Sequence, residues 1–282
     1  MQFYYFILSF FCYGFLGWCA EVAFATVKQR KFVNRGFLNG PICPIYGVGV
    51  GVVVQFLAPF QDNLVILYVA STLLVTFIEG ITGYLMDKIF HHKWWDYSKQ
   101  PLNIGGYVCV LFSLVWGVAC VAIVKLIHPM IDKVLSMIPV TLGIVIIVLL
   151  LIVLFADLYV TASGILKLNK RLESMEKIAA ELRELSNKVG ANIHENVMET
   201  MEFQEEKKKQ FGAAAFELRE KLEDATEEQK ARIDELRSRY ADLAEYSGKV
   251  GARLIKAFPK MESRHHKDIL EELKLRIKGN RK

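Results

Sequence analysis

Residues 32–47 read FVNRGFLNGPICPIYG. One arginine, two asparagines, two prolines and three glycines stand here between two strongly apolar runs. Pro41 and Pro44 remove backbone donors and prevent a regular helix through the stretch. Non-helical backbone persists at membrane depth only where protein or a water-filled cavity satisfies its polar groups. The stretch therefore predicts a re-entrant or broken segment at the inner mouth of a helix bundle, lined by Asn34, Pro41, Pro44 and Tyr46. A simple tight loop is the plainer alternative.

The apolar runs on either side set the class. The chain has 282 residues and is 53% hydrophobic, but residues 1–166 hold nine Lys/Arg and seven Asp/Glu against twenty-six and twenty-three in residues 167–282. Two regions follow: a transmembrane bundle over 1–166 and a cytoplasmic helical tail over 167–282. Candidate spans of the required length of about 20 residues fall at 3–27, 40–58, 64–86, 104–127 and 139–166. The first lacks the basic start and the cleavage site of a signal peptide and reads as a retained span. Lys28, Arg30, Lys31 and Arg35 in the first loop, Lys88, Lys93 and Lys99 in the third, and Lys167, Lys170 and Arg171 opening the tail are the basic clusters. The positive-inside rule then places the N-terminus outside and the tail in the cytoplasm. The net charge of +5 is modest and favours an anionic membrane surface; no aromatic-basic reader of nucleic acid is present.

Three acids lie within the predicted spans: Glu21, Glu79 and Asp157. A charge at the bilayer centre costs at least about 2.5–3.5 kcal/mol, so such residues face a bundle interior or cavity. Glycine or threonine lies three, four or seven residues from each, on its own helical face, where helices approach closely. Each is also within about ten residues of its cytoplasmic helix end. With Arg35 as the nearest counter-charge, they are expected to form one polar centre. A structural cluster and a substrate or ion pathway both remain open. A catalytic role is disfavoured, because no nucleophile–base pair or metal-ligand set accompanies them; no metal or cofactor is expected. The sequence GVGVG (47–51) is not a nucleotide loop, since no strand precedes it and no lysine follows. In the third loop, His91, His92, Asp87 and Asp96 make a weak metal set. An ordered interfacial loop is expected there instead, with Trp95, Asp96 and Tyr97, and with Trp94 as a further aromatic anchor.

Four motifs carry a family resemblance: GWCAE (17–21), FVNRGFLNGPICPIYG (32–47), EGITGYLMD (79–87) and WWDYSKQPLNIGGYVC (94–109). Over roughly its first 160 residues the chain resembles the bacterial membrane family labelled putative ABC-transporter type IV, a permease-like group. The resemblance implies a transport permease in a bacterial cell membrane. The chain itself has no GxxxxGK[ST] loop, so an ABC ATPase would be a separate protein. Few spans for a complete permease implies a homo-oligomer.

In the tail, Leu168, Leu172, Met175, Ala179 and Leu182 begin one coiled-coil-like stripe, and Phe211, Leu218, Leu222 and Ala225 a second, which Pro259 ends. Residues 180–193 (AELRELSNKVGANI) and 241–254 (ADLAEYSGKVGARL) are identical at eight of fourteen positions. This two-copy repeat predicts a self-associating module whose copies pack as an antiparallel pair or on a second chain, with Gly190 and Gly251 as bends or close contacts. The sequence thus reads as all-α: a polytopic bundle of about five spans in a lipid bilayer with a long cytoplasmic helical tail. Its leading function is that of a permease-like transport component. The rival is a membrane-anchored scaffold or sensor whose tail binds cytosolic proteins.

Overall fold

The computed structural model describes residues 2–203, 212–245 and 249–279. Helices make up most of the chain: α1 (Gln2–Gln29), α2 (Pro44–Leu57), α3 (Leu64–Phe90), α4 (Val110–Ala122), α5 (His128–Ser136), α6 (Val140–Phe203), α7 (Gly212–Glu245), α8 (Lys249–Ala257) and α9 (Lys267–Gly279). The described residues also hold four two-residue strands, β1 (His92–Lys93), β2 (Asn103–Ile104), β3 (Val108–Cys109) and β4 (Glu262–Ser263). They pair antiparallel as β1 with β4 and β2 with β3.

Among the described residues, four helical stretches are long and apolar enough to cross a membrane: Phe3–Gln29, Leu64–Phe90, Val110–Ser136 and Val140–Leu185. The region expected as a second span is different. Its helical part, α2, has 14 residues, about 21 Å of helix against a hydrocarbon core of about 30 Å. Pro44 is the first residue of α2, a position where the missing N–H costs nothing. The third stretch changes register at Ile123–Ile127, a π-turn between α4 and α5. Pro129 explains it, because it cannot donate to the Lys125 carbonyl. Asn63 caps α3 by accepting from the Val65 and Ile66 amides, each at 3.1 Å.

The chain divides into two compact units. One contains residues 1–167 and 248–267, the other 168–247 and 268–282. In the first unit, α1 and α2 form a close hairpin. A Cβ on Gly17 would collide with the Tyr46 ring, and one on Gly47 would meet the Phe10 carbonyl. Val53 and Leu57 of α2 pack with Leu67 of α3 and Cys120 of α4. Phe11, Leu38 and Leu154 form another core, so Leu38, in the irregular segment before α2, is fully buried between α1 and α6. Residues 248–267 fall within this membrane unit, a division that the charge boundary at 166/167 does not draw. The second copy of the repeat is consequently split, its 249–254 part lying in the membrane unit. Neither glycine of the repeat bends the chain: α6 runs through Gly190, and Gly251 lies inside α8.

In the second unit, α7 bonds to both its neighbours. Arg232 donates to Glu181 of α6 at 2.9 Å, and the Tyr240 hydroxyl donates to Glu272 of α9. Burial and the Glu272 carboxylate push the Tyr240 hydroxyl up to about 12. Leu172, Met175, Leu236, Leu270 and Leu273 are among its buried apolar residues.

Candidate functional site

The irregular segment between α1 and α2 organises itself first. The Asn34 amide oxygen accepts from Trp18 Nε1 at 2.7 Å and from the Gly36 amide at 3.0 Å. The Asn34 amide nitrogen donates to the Asn39 carbonyl at 2.8 Å. One asparagine thus closes the turn in place of a helical ladder. The segment then climbs along α1: the Cys43 amide donates to the Gly14 carbonyl at 2.9 Å. Gly14 lies 15 residues before Gln29, so this contact sits about 22 Å up the helix. Pro41 lies in this climb, and Pro44 opens α2 at its top.

Asp157 of α6 holds the segment from the other side. It accepts from the Gly40 amide at 2.6 Å, the Asn39 amide at 3.1 Å, Asn39 Nδ2 at 2.7 Å and the Thr161 hydroxyl at 3.2 Å. Gly40 permits this approach, since a Cβ there would lie 3.1 Å from Asp157 Oδ2. Asn39 Nδ2 also reaches the Thr161 hydroxyl at 3.0 Å. A groove of about 550 Å³ is lined here by Asn39, Ile152, Val153, Asp157, Val160 and Val250, among others.

Glu21 has a different set of partners. Arg35 Nε lies 3.1 Å from Glu21 Oε2, and the Tyr46 hydroxyl donates to Glu21 Oε1 at 2.7 Å. Glu79 has a third set. The Tyr97 hydroxyl donates to its Oε1 at 3.2 Å, while Oε2 is enclosed with no hydrogen-bond partner among the described residues. Burial, followed by the Glu79 carboxylate, pushes the Tyr97 hydroxyl up. Arg35 thus joins Glu21, Asp157 is bound to the loop amides, and Glu79 meets Tyr97 of the third loop, a hydroxyl on which the Glu21 carboxylate also acts. Each carboxylate takes the donors that its own surroundings supply.

The third loop folds along α3. Trp95 Nε1 donates to the Tyr107 carbonyl at 2.8 Å, and a Cβ on Gly83 would meet the Trp95 ring at 3.1 Å. Asp96 accepts from the Ser98 hydroxyl and amide and lies 3.7 Å from Lys93. The Ser98 bonds hold the Asp96 carboxyl below its usual range, with Lys93 adding to the effect. Trp94 is not an exposed interfacial anchor. It is 4% exposed and packs edge-on against Phe37 and Phe258, with ring centroids 5.1 Å away in both cases.

Phe258 belongs to the returning segment, whose contacts sequence patterning missed. Arg253 donates to Asn39 Oδ1 at 2.9 Å, the Gly36 carbonyl at 2.8 Å and the Phe37 carbonyl at 2.7 Å. Burial works against its charge, and Asp157 offsets part of that cost. Arg264 donates to both oxygens of Asp87 and to the Tyr107 hydroxyl. Its bond to Asp87 holds the guanidinium pKa up. The one signal for Arg253 was the repeat: its counterpart in the first copy is Asn192, so one position changes from amide to guanidinium within an otherwise matching run.

A family model described as Putative ABC-transporter type IV matches residues 8–162. No curated protein and no solved structure matches the chain.

Proposed function

The chain belongs to this family of ABC-transporter-related membrane proteins, and from that premise we propose that it is a permease-like component of a transport system in a bacterial cell membrane. A separate ATPase supplies the energy, since the sequence carries no phosphate-binding lysine loop. The observation that carries this reading is the irregular segment at 30–43, held within the bundle by Asp157 and Leu38 inside the family-matched region. Transporters place interrupted backbone of this kind at their substrate pathway. In this reading the chain crosses five times, with the irregular segment and α2 together making the second crossing. The N-terminus is outside and the tail inside, as the loop charges require. Glu21 with Arg35, Asp157 with Asn39, and Glu79 with Tyr97 line the inner part of the passage.

A second reading is favoured by the docked 249–264 segment: a membrane-anchored sensor whose tail reports to the bundle. Mild-detergent purification of the full chain distinguishes the two. Transport predicts a co-purifying protein with a nucleotide-binding loop and ATP hydrolysis that follows it through the columns. Recovery of tail-bound cytosolic proteins without any ATPase would overturn the transport reading in favour of the sensor.

A further inference from the structure

The inner end of the membrane unit is occupied by a piece of the chain that lies outside the family-matched region. Residues 249–264 attach at three separated points. At one end the Arg253 guanidinium fills the acceptor set made by Gly36 O, Phe37 O and Asn39 Oδ1. In the middle Phe258 packs edge-on to Trp94. At the other end Arg264 pairs with Asp87, its amide donates to the His91 carbonyl at 2.9 Å, and β4 pairs with β1. Ahead of the first anchor α8 lies against α6: a Cβ on Gly164 would meet Val250 Cγ1 at 2.6 Å, so only glycine admits that side chain. Val250 then forms one wall of the groove that contains Asn39 and Asp157.

We propose that residues 249–264 are an autoinhibitory latch that closes the cytoplasmic approach to the Asp157–Asn39 site, and that release of Arg253 and Arg264 opens it. The two polar anchors are arginines, which docking moves from water onto fixed acceptors. Leu254, Ile255, Ala257 and Met261 of the same segment are buried as well, so opening also uncovers apolar side chains, which a partner bound to the released segment would cover. Sequence also places the segment between two stretches of the second unit, 168–247 before it and 268–282 after it. A protein bound to that unit is therefore connected to both ends of the latch. This inference rests on reading the inner mouth as a passage, and its test reads access to the mouth without measuring transport.

Cys43 is a native reporter. It is a free, buried thiol within the irregular segment, beside the backbone of Phe37, whose carbonyl Arg253 occupies. Cys120 is a second free, buried thiol, packed with Val53, Leu57 and Leu67 away from the latch contacts. The full chain in detergent would be alkylated with N-ethylmaleimide and each cysteine followed by peptide mass spectrometry. Combining Arg253→Ala with Arg264→Ala is expected to speed Cys43 alkylation by at least about tenfold, the effect of weakening local closure by one good anchor. Cys120 keeps its wild-type rate, and each single variant gives a smaller rise at Cys43. An unchanged Cys43 rate would overturn the latch. An equal rise at Cys120 would overturn it as well, because the arginines would then be holding the whole bundle together and not a local closure.

Discussion

Asp157 accepts from four donors, two of them backbone amides of the irregular segment. Removing the carboxylate leaves those donors enclosed and unpaired, at about 1–3 kcal/mol for each group that cannot find water. Asp157→Ala is therefore expected to lower stability by about 3 kcal/mol, read as an earlier thermal unfolding midpoint in detergent. Asp157→Asn, which keeps one acceptor oxygen, should cost less. Glu173 of α6 pairs with Lys177 one turn on, and both side chains are more than half exposed. Glu173→Gln should stay within about 0.5 kcal/mol of wild type. If the two positions proved equally sensitive, the segment would not depend on Asp157. Arg35 and Glu21 form an ion pair whose two side chains are 33% and 26% exposed; its worth is modest beside a carboxylate that holds backbone amides.

At the scale of elements, the α1–α2 hairpin depends on side-chain volume at a few positions. Tyr46 lies directly over Gly17 while its hydroxyl reaches Glu21, four residues further along α1. Gly17→Leu must displace Tyr46 and break that bond. The expected cost is about 2–3 kcal/mol, and Tyr46→Phe in the same background should add little, since the bond is already lost. Gly49 stands on the same helix as Tyr46, and a Cβ there would have no neighbour within 4 Å. Gly49→Ala should be neutral or slightly stabilising, because alanine is the better helix former. Thermal unfolding of the two single variants checks the contrast, and equal destabilisation would mean that close approach along this hairpin is not what the glycines provide.

For the whole molecule the central expectation is topology. The proposed reading, built on the loop charges, has the chain cross five times with Asn63 at the outer surface between α2 and α3, whereas four helices among the described residues are long and apolar enough to cross by themselves. A cysteine introduced at Asn63 should react with an impermeant maleimide added to intact cells, and one at Glu173 should react only after the membrane is opened. Labelling of the Asn63 position from inside only would reverse the orientation. The tail is also expected to associate with a second copy. Chemical cross-linking of the full chain in native membranes should then give a dimer or larger species that persists when the protein is diluted in mild detergent.

The contrast between an apolar and a charged region and the helical class were legible from the whole sequence, and the family from its first 160 or so residues. Hydrophobic length and charge asymmetry are local properties, and they survive whatever partners the chain later finds. The break at 32–47 was legible for the same reason: two prolines act on their own backbone. What the break does was not legible. Asn39 and Gly40 meet Asp157 across more than a hundred residues, and nothing in either stretch specifies that register. The three acids were legible by their depth, but the donors each one takes were not, because Tyr46, Tyr97 and Asn39 lie far from them along the chain. The return of 249–264 was the least legible feature. Its helix carries the charge pattern of a solvated tail, and Arg253 and Arg264 acquire their partners only because folding places the Gly36 and Phe37 carbonyls and the Asp87 carboxylate within their reach. Local pattern determined what could enter the membrane; tertiary packing decided which polar groups meet there, because hydrogen-bond partners are chosen by distance in space and not along the chain.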